Sequence, residues 1–536
     1  MDILKKMEIP RILTGLLLSL VIVFIGIFFM SKKENLDLDE IGTYGLANNT
    51  YQLQVTDWKT YSGMDLLLDY TTVKTGHEFD INNLLSNQTR DTHPPLHYII
   101  LNCICSIRHG TFSIWYGLII NLFFMVILFW QMRYLLTLMT KDNIMSTLLA
   151  IASFFTYGFI NEIVFIRMYT MLSAISLMFI ILIVNEMKGE SSNNRIDLIF
   201  LLKFLIVCIL GILTQYQFAF VALFFSAVFG IYLMIKKNFK MLLSTIFVGI
   251  LSIALSILLF PGMINHIFGK DAIHSVNLEI SNSTISERLI KYFSTIYQAF
   301  FGKGIIIYIL FLLIGIILYF VSNKKEKLKE IVSNNKWFFL FLLCSVYFFV
   351  AVLFTTRYAY ARYLYIIYPL IFISISVPIC QLYQHIKPAL KYISVILVLI
   401  IAYTSQYKAP PSSLNIGDNS FYLFLNKNKD TKMFSLYRTK GEPTKYTAQS
   451  ISFWKLHRPL YVFRNMESIS YIDLSKFENN LDKPISYINN ENRVFLVIYP
   501  EENDNALITK VAKNNGFNSV DPVYMSTYFH LYMLSK

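Results

Sequence analysis

Two acids, a histidine and a few arginines stand where an otherwise apolar chain turns polar, and they set the chemistry the sequence can offer. In SKKENLDLDEIGTYGLANN, Asp39 and Glu40 follow closely on a long apolar run. Adjacent carboxylates near lipid are costly to desolvate, which raises their pKa and suits one of them to general-base work. The same spacing also reads as a helix start with Asp39 as its N-cap. Asp37 and Asp39 spell the DxD pattern of divalent-metal sites that bind nucleotide-sugars. Two residues apart, they point the same way only on a strand, and a helix beginning at Asp39 separates them. A divalent metal stays open at that point, and no firm cofactor is indicated.

Further on, NQTRDTHPPLHYIIL sets Asp91 and His93 before Pro94 and Pro95. His93 could neutralise an anion or relay a proton, or it could hydrogen-bond the start of the helix that the prolines open. Arg167 and Tyr169, in FINEIVFIRMYT, stand at the head of another apolar run. An arginine there can grip a phosphate with two hydrogen bonds, or anchor a helix at the lipid interface. Arg357 and Arg362, in TTRYAYAR, admit the same two readings. A carboxylate base beside several cations at a lipid boundary suits a donor carried on lipid phosphate better than a soluble one. No glycine-rich phosphate loop, HExxH or GxSxG occurs in the chain.

The elements that must position these residues are written for a membrane. Of 536 residues, 55% are hydrophobic and 15% charged, against about 25% charge in a soluble chain, and the mean hydropathy is +0.50. Runs of spanning length are 11–30, 112–132, 144–161, 169–187, 197–213, 216–235, 241–260, 304–321, 337–355, 362–383 and 390–405. The first lacks a cleavage site and is expected to be retained. With a cytoplasmic N-terminus, the links 133–143, 186–196, 236–240, 322–336 and 384–389 fall inside, and all carry Lys or Arg. Counting 94–107 as a span would turn those links outward, so it is expected as a juxtamembrane helix on the outer surface. The net charge of +13 then reads as membrane orientation and not as a nucleic-acid stripe. Asn121 is the most central strongly polar residue, and the spans hold almost no Asp or Glu, which weighs against a proton-coupled transporter. The five cysteines lie in apolar runs and suggest neither disulfides nor a metal cluster. The tail 406–536 is charged and Asn-rich. TKMFSLYR, RPLYVFR, NRVFLVIYP and STYFHLYML read as strands, and NDNALITKVAKNNG as a helix stopped by Gly516.

A first span followed by Asp-Glu, then D-x-HPPL-x-Y (Asp91, His93, Pro94, Pro95, Leu96, Tyr98) and R-M-Y (Arg167, Met168, Tyr169), resembles GT-C glycosyltransferases of the family-39 type. That group includes protein O-mannosyltransferases and the aminoarabinose transferase that modifies lipid A. TQYQFAF and RYLYIIYPL are similar to further GT-C segments, and the resemblance covers roughly residues 10–380. Combined with the hydropathy pattern, it implies a polytopic α-helical membrane protein with about 11 transmembrane helices. Residues 1–405 would form the GT-C-like domain, with outer loops 31–111 and 261–303, and residues 406–536 an extracytoplasmic α/β domain. The implied activity is transfer of a sugar, with inversion, from a polyprenyl-phosphate carrier to a cell-envelope acceptor, on the outer face of a bacterial plasma membrane. The acceptor could be a protein, a glycan or a lipid. Asp39 would be the base, with Glu40 orienting the acceptor or supporting Asp39. His93 and Arg167 would bind the departing phosphate with Tyr169 alongside, and Asp91, Tyr98, Gln215, Tyr216, Arg357 and Arg362 would support them. The chain departs from the family pattern where His93 replaces a lysine of the lipid A transferases, and where Glu162 stands five residues before Arg167. A glycan ligase or polymerase, and a lipid-linked sugar transporter, are the alternatives.

Overall fold

Uncharged apolar runs cannot leave backbone N–H and C=O groups unpaired in hydrocarbon, so they coil into helices. All eleven runs do so in the computed structural model, which describes residues 11–51, 53, 55–189, 196–268, 284–321, 335–356, 359–386, 390–405, 410–417, 419–437, 463–473, 486–498, 504–526 and 529–536. Among them, Leu13–Met30, Ile114–Thr140, Tyr169–Lys188, Phe218–Ile235, Phe239–Leu259, Lys336–Thr355 and Ala361–Tyr383 are long and apolar enough to cross a membrane. Two further runs are bent pairs: Asn143–Ser153 with Tyr157–Val164 at 67°, and Ile285–Phe300 with Gly302–Ile317 at 89°. The helices Leu198–Thr214 and Tyr392–Thr404 are apolar but shorter. Outward-facing side chains are themselves apolar, with Phe24 72% and Leu258 74% exposed, as lipid contact requires. The chain is a polytopic α-helical integral membrane protein.

The break within 144–161 has a side-chain cause. The Ser153 hydroxyl donates to the carbonyl of Ala150, and that of Thr156 to the carbonyl of Ser153. Thr156 then accepts from the Phe159 N–H and caps the next helix. These hydroxyls replace the backbone pairing that a sharp turn at membrane depth would forfeit. In the other pair, Gly302 takes φ +47°, and a Cβ added there would lie 3.1 Å from Ser405 backbone atoms, so a glycine is needed to make the right angle.

The chain divides into two compact units. Met1–Lys32, Asp91–His97 and Gly117–Ser413 form the helical unit; Lys33–Arg90, Tyr98–Tyr116 and Leu414–Lys536 form the other. The second unit holds a six-stranded sheet of β1 (Thr60–Tyr61), β2 (Lys432–Tyr437), β3 (Ile469–Asp473), β4 (Arg493–Ile498), β5 (Ser519–Met525) and β6 (His530–Ser535). Their order is β1-β3-β2-β4-β6-β5, with β3, β2 and β4 parallel and the remaining pairs antiparallel. The helix Asp504–Asn514 buries Ile508 and Val511 against Leu496, Ile498 and Leu534. It ends at Gly516, φ +70°, the left-handed conformation that glycine adopts freely. TKMFSLYR, NRVFLVIYP and STYFHLYML supply β2, β4 and β6. RPLYVFR lies mostly outside the described residues, and its Phe463 and Arg464 are not strand. No sequence pattern marks β1, β3 or β5 as strands. The same unit contains the helices Leu38–Asn48, Gly63–Thr71 and Ile81–Arg90 from the first loop.

Candidate functional site

Asp37, not Asp39, is the N-cap of the helix Leu38–Asn48. It has φ −80° and ψ 162°, and its carboxylate accepts from the Asp39 N–H at 3.2 Å. Glu40 Oε2 accepts in return from the Asp37 N–H at 2.5 Å, completing a capping box that satisfies two otherwise orphaned donors. The helix therefore starts two residues earlier than the alternative reading of Asp39 required. Asp39 falls in its first turn, half-buried. Asp37 is committed to the helix start, so Asp37 and Asp39 do not form the strand-like pair that a DxD metal site needs. Glu40 Oε1 meets Lys33 Nζ at 2.9 Å, with both side chains fully buried. Such a pair is costly to break by removing one partner, so it fixes the turn that carries Asp39. Nothing in the sequence marks Lys33 as the partner of Glu40, seven residues on.

The helical unit brings Asp91, His93 and Arg167 together. Arg167 Nη2 lies 3.0 Å from His93 Nε2, and His93 Nδ1 lies 2.8 Å from Asp91 Oδ2. A guanidinium only donates, so Nε2 accepts from it, and the ring proton on Nδ1 donates to Asp91. In this arrangement His93 links Asp91 to Arg167 and aims the guanidinium. Burial alone would raise the Asp91 carboxyl, but the His93 interaction and the Arg167 charge together hold it below the usual carboxylate range. Burial, and then the Arg167 charge, push the His97 imidazole down to about 3. The Tyr216 phenol is pushed up by burial first and by the Asp91 charge second. Its hydroxyl lies 2.7 Å from His266 Nδ1. His97 and His266 thus join the neighbourhood; nothing in GMINHIF or HPPLH distinguished them from ordinary interfacial histidines.

Arg167 is set by the short buried helix Tyr157–Val164. Where Phe165 leaves that helix, Asn121 Nδ2 donates to the carbonyls of Ile163 at 3.0 Å and Phe165 at 2.7 Å. Thr170 Oγ1 donates to the Glu162 carbonyl at 3.0 Å. These bonds satisfy the orphan carbonyls of a helix C-terminus, and the Arg167 N–H closes the turn onto Phe165 at 2.8 Å. At the other side of the helix, Asn161 Oδ1 accepts from the Ser413 N–H at 2.7 Å. Arg167 itself is 5% exposed. Glu162 is fully buried on the same helix and makes no ion pair with it.

The other expected residues have these surroundings. Tyr169 is buried between rings, stacked on Phe165 at 6.1 Å and edge-on to Tyr365 at 5.7 Å. Gln215 follows the helix Leu198–Thr214 and accepts from the Tyr216 N–H at 2.8 Å. Tyr98 is buried in the second unit. Arg362 lies over Tyr360, 4.2 Å from the ring centre, and Arg357 lies outside the described residues. Among the described residues no three His, Cys, Asp or Glu side chains are grouped to hold a metal ion.

No protein-family model matches the chain, and no curated protein matches it. Among solved structures, it is similar to ArnT from Cupriavidus metallidurans bound to undecaprenyl phosphate, with a TM-score of 0.51 and 8% identity over 98% of both chains. It also matches ArnT from the same organism in the apo state, with a TM-score of 0.44 and 8% identity over 98% of this chain and 97% of the other. The first likeness extends through the tail, beyond the reach of the sequence motifs, and at that identity it speaks for architecture. ArnT is a GT-C enzyme, and the chain has the GT-C fold.

Proposed function

We propose that this protein is an inverting glycosyltransferase that moves a sugar from a polyprenyl-phosphate carrier to a cell-envelope acceptor. The observation that carries the reading is the Asp91–His93–Arg167 chain, which holds a nearly buried guanidinium in a fixed aim at the head of a membrane helix. Its likeness in fold to a protein that binds undecaprenyl phosphate supports the same choice of donor. Asp39 takes the proton of the acceptor hydroxyl as that oxygen bonds to the anomeric carbon, while the bond from that carbon to the phosphate oxygen breaks. The electron pair leaves with the phosphate, whose charge Arg167 stabilises, so cations matter more than a general acid. Glu40, held by Lys33, steadies the turn that presents Asp39. The basic links between spans support an extracytoplasmic location for the reaction.

The test is complementation of a strain lacking the gene, reading the envelope glycan that disappears. Asp39→Asn should insert and accumulate like the wild type and restore about 100-fold less product or lower, the scale of general-base catalysis. Full restoration by Asp39→Asn refutes the assigned base.

A further inference from the structure

A second group of cations lies on the helix Ile285–Phe300, and the reaction proposed above does not use it. Arg288 and Lys291 are three residues apart and share one edge of that helix. Arg288 is 3% exposed; one Nη donates to the Thr356 carbonyl at 3.3 Å, and its buried Nε has no hydrogen-bond partner. Lys291 is exposed, its Nζ 5.8 Å from the centre of the Tyr360 ring. Arg362 lies over the same ring at 4.2 Å, so two cations from separate segments meet at one aromatic ring. Neither Arg288 nor Lys291 has a carboxylate partner among the described residues; Glu287, the nearest acid in the chain, is turned back into the capping box of Thr284. A nearly buried guanidinium without a counter-charge is expensive to keep unless an anion completes it.

The surroundings say which anion. The following helix, from Gly302 to Ile317, is apolar, and Ile285–Phe300 is bent from it by 89°. If the apolar helix runs along the membrane normal, its neighbour lies in the membrane plane. Ile290 and Phe293, 69% and 56% exposed, form one flank of that helix, with Lys291 on another. Apolar flank, cationic edge and in-plane orientation are the features of a helix seated among lipid headgroups.

We propose that Arg288, Lys291 and Arg362 form a binding site for a phosphate group, supplied by the headgroup of an anionic phospholipid. This inference does not depend on the sugar-transfer reading. The probe is the full-length protein in nanodiscs of phosphatidylcholine, or with part of that lipid replaced by phosphatidylglycerol. Lipid retained on release is read by native mass spectrometry, and stability by thermal unfolding. The wild type should retain phosphatidylglycerol preferentially and melt higher in its presence. The Lys291→Gln/Arg362→Gln variant should lose that preference by about 30-fold, the worth of two basic residues at a lipid surface. Lys291→Arg should keep it. Arg288→Gln also loses its bond to Thr356, so its melting point in phosphatidylcholine alone separates damaged packing from a lost ligand. Stabilisation by inorganic phosphate in phosphatidylcholine, abolished by the same double variant, would assign the site to phosphate from solution and overturn the lipid source. Equal retention of the two lipids by wild type and double variant would overturn the site.

Discussion

The arginine most suited to holding a phosphate is not a free charge waiting for one. Arg167 donates to His93, which donates to Asp91, so three side chains act as one unit. The acid's role can be read through its titration. Asp91 has its folded pKa below its unfolded value, so its stabilising contribution is complete above the ordinary aspartate value, about 4. It fades as pH falls through the lower folded value. Wild type should therefore melt above Asp91→Asn by a constant margin at neutral and mildly acidic pH, and the margin should shrink only below about pH 4. A margin that shrinks between neutrality and mild acidity would show that another group governs the cluster. At this scale the sequence was informative about identity and weaker about role. HPPL and RMY marked His93 and Arg167, but the spacing could not say that the histidine would spend both nitrogens on its neighbours. Nor could it pair Tyr216 with His266, 50 residues away.

Helix ends decide where these groups point. Asn121, the central polar residue of its span, closes the end of Tyr157–Val164 through two carbonyls, which explains a polar side chain at that depth. Asn121→Leu keeps the volume, removes the side-chain donor of the Ile163 carbonyl and leaves the Phe165 carbonyl with the Arg167 N–H alone, a loss of about 1–3 kcal/mol. Thermal unfolding should register the loss, and transfer should fall further than expression because Arg167 loses its foundation. Activity that stays proportional to the amount of folded protein would remove Asn121 from the positioning of Arg167. The helix start at Asp37 is legible in the sequence, since Asp37 and Glu40 have the spacing of a capping box, but the adjacent acids Asp39 and Glu40 fit a start at Asp39 equally well. The bend after Ser153 was not available. Hydropathy is continuous through it, and only the bonds of Ser153 and Thr156 reveal it.

For the molecule as a whole, the membrane character and the GT-C fold were legible because both are repeated along the chain. The sheet was not, because its pairing is nonlocal: Thr60 and Tyr61 lie beside Ser470 and Ile469. A fragment of residues 414–536 alone would leave the β3 edge without β1, and unpaired edges template aggregation. It should elute as aggregate in size-exclusion chromatography, and adding a peptide of residues 55–62 should shift it toward monomer; a monodisperse fragment without the peptide would show that β1 is dispensable. The right angle at Gly302 bears on how the protein tolerates different membranes. A helix lying along the surface resists sinking, because its charged edge would have to enter oil. With the helix Ile285–Phe300 in the membrane plane, as the headgroup site proposed above requires, any mismatch between helix length and bilayer thickness would be absorbed at the opposite surface, and the end bearing that shoulder would keep its level in thick and thin membranes alike.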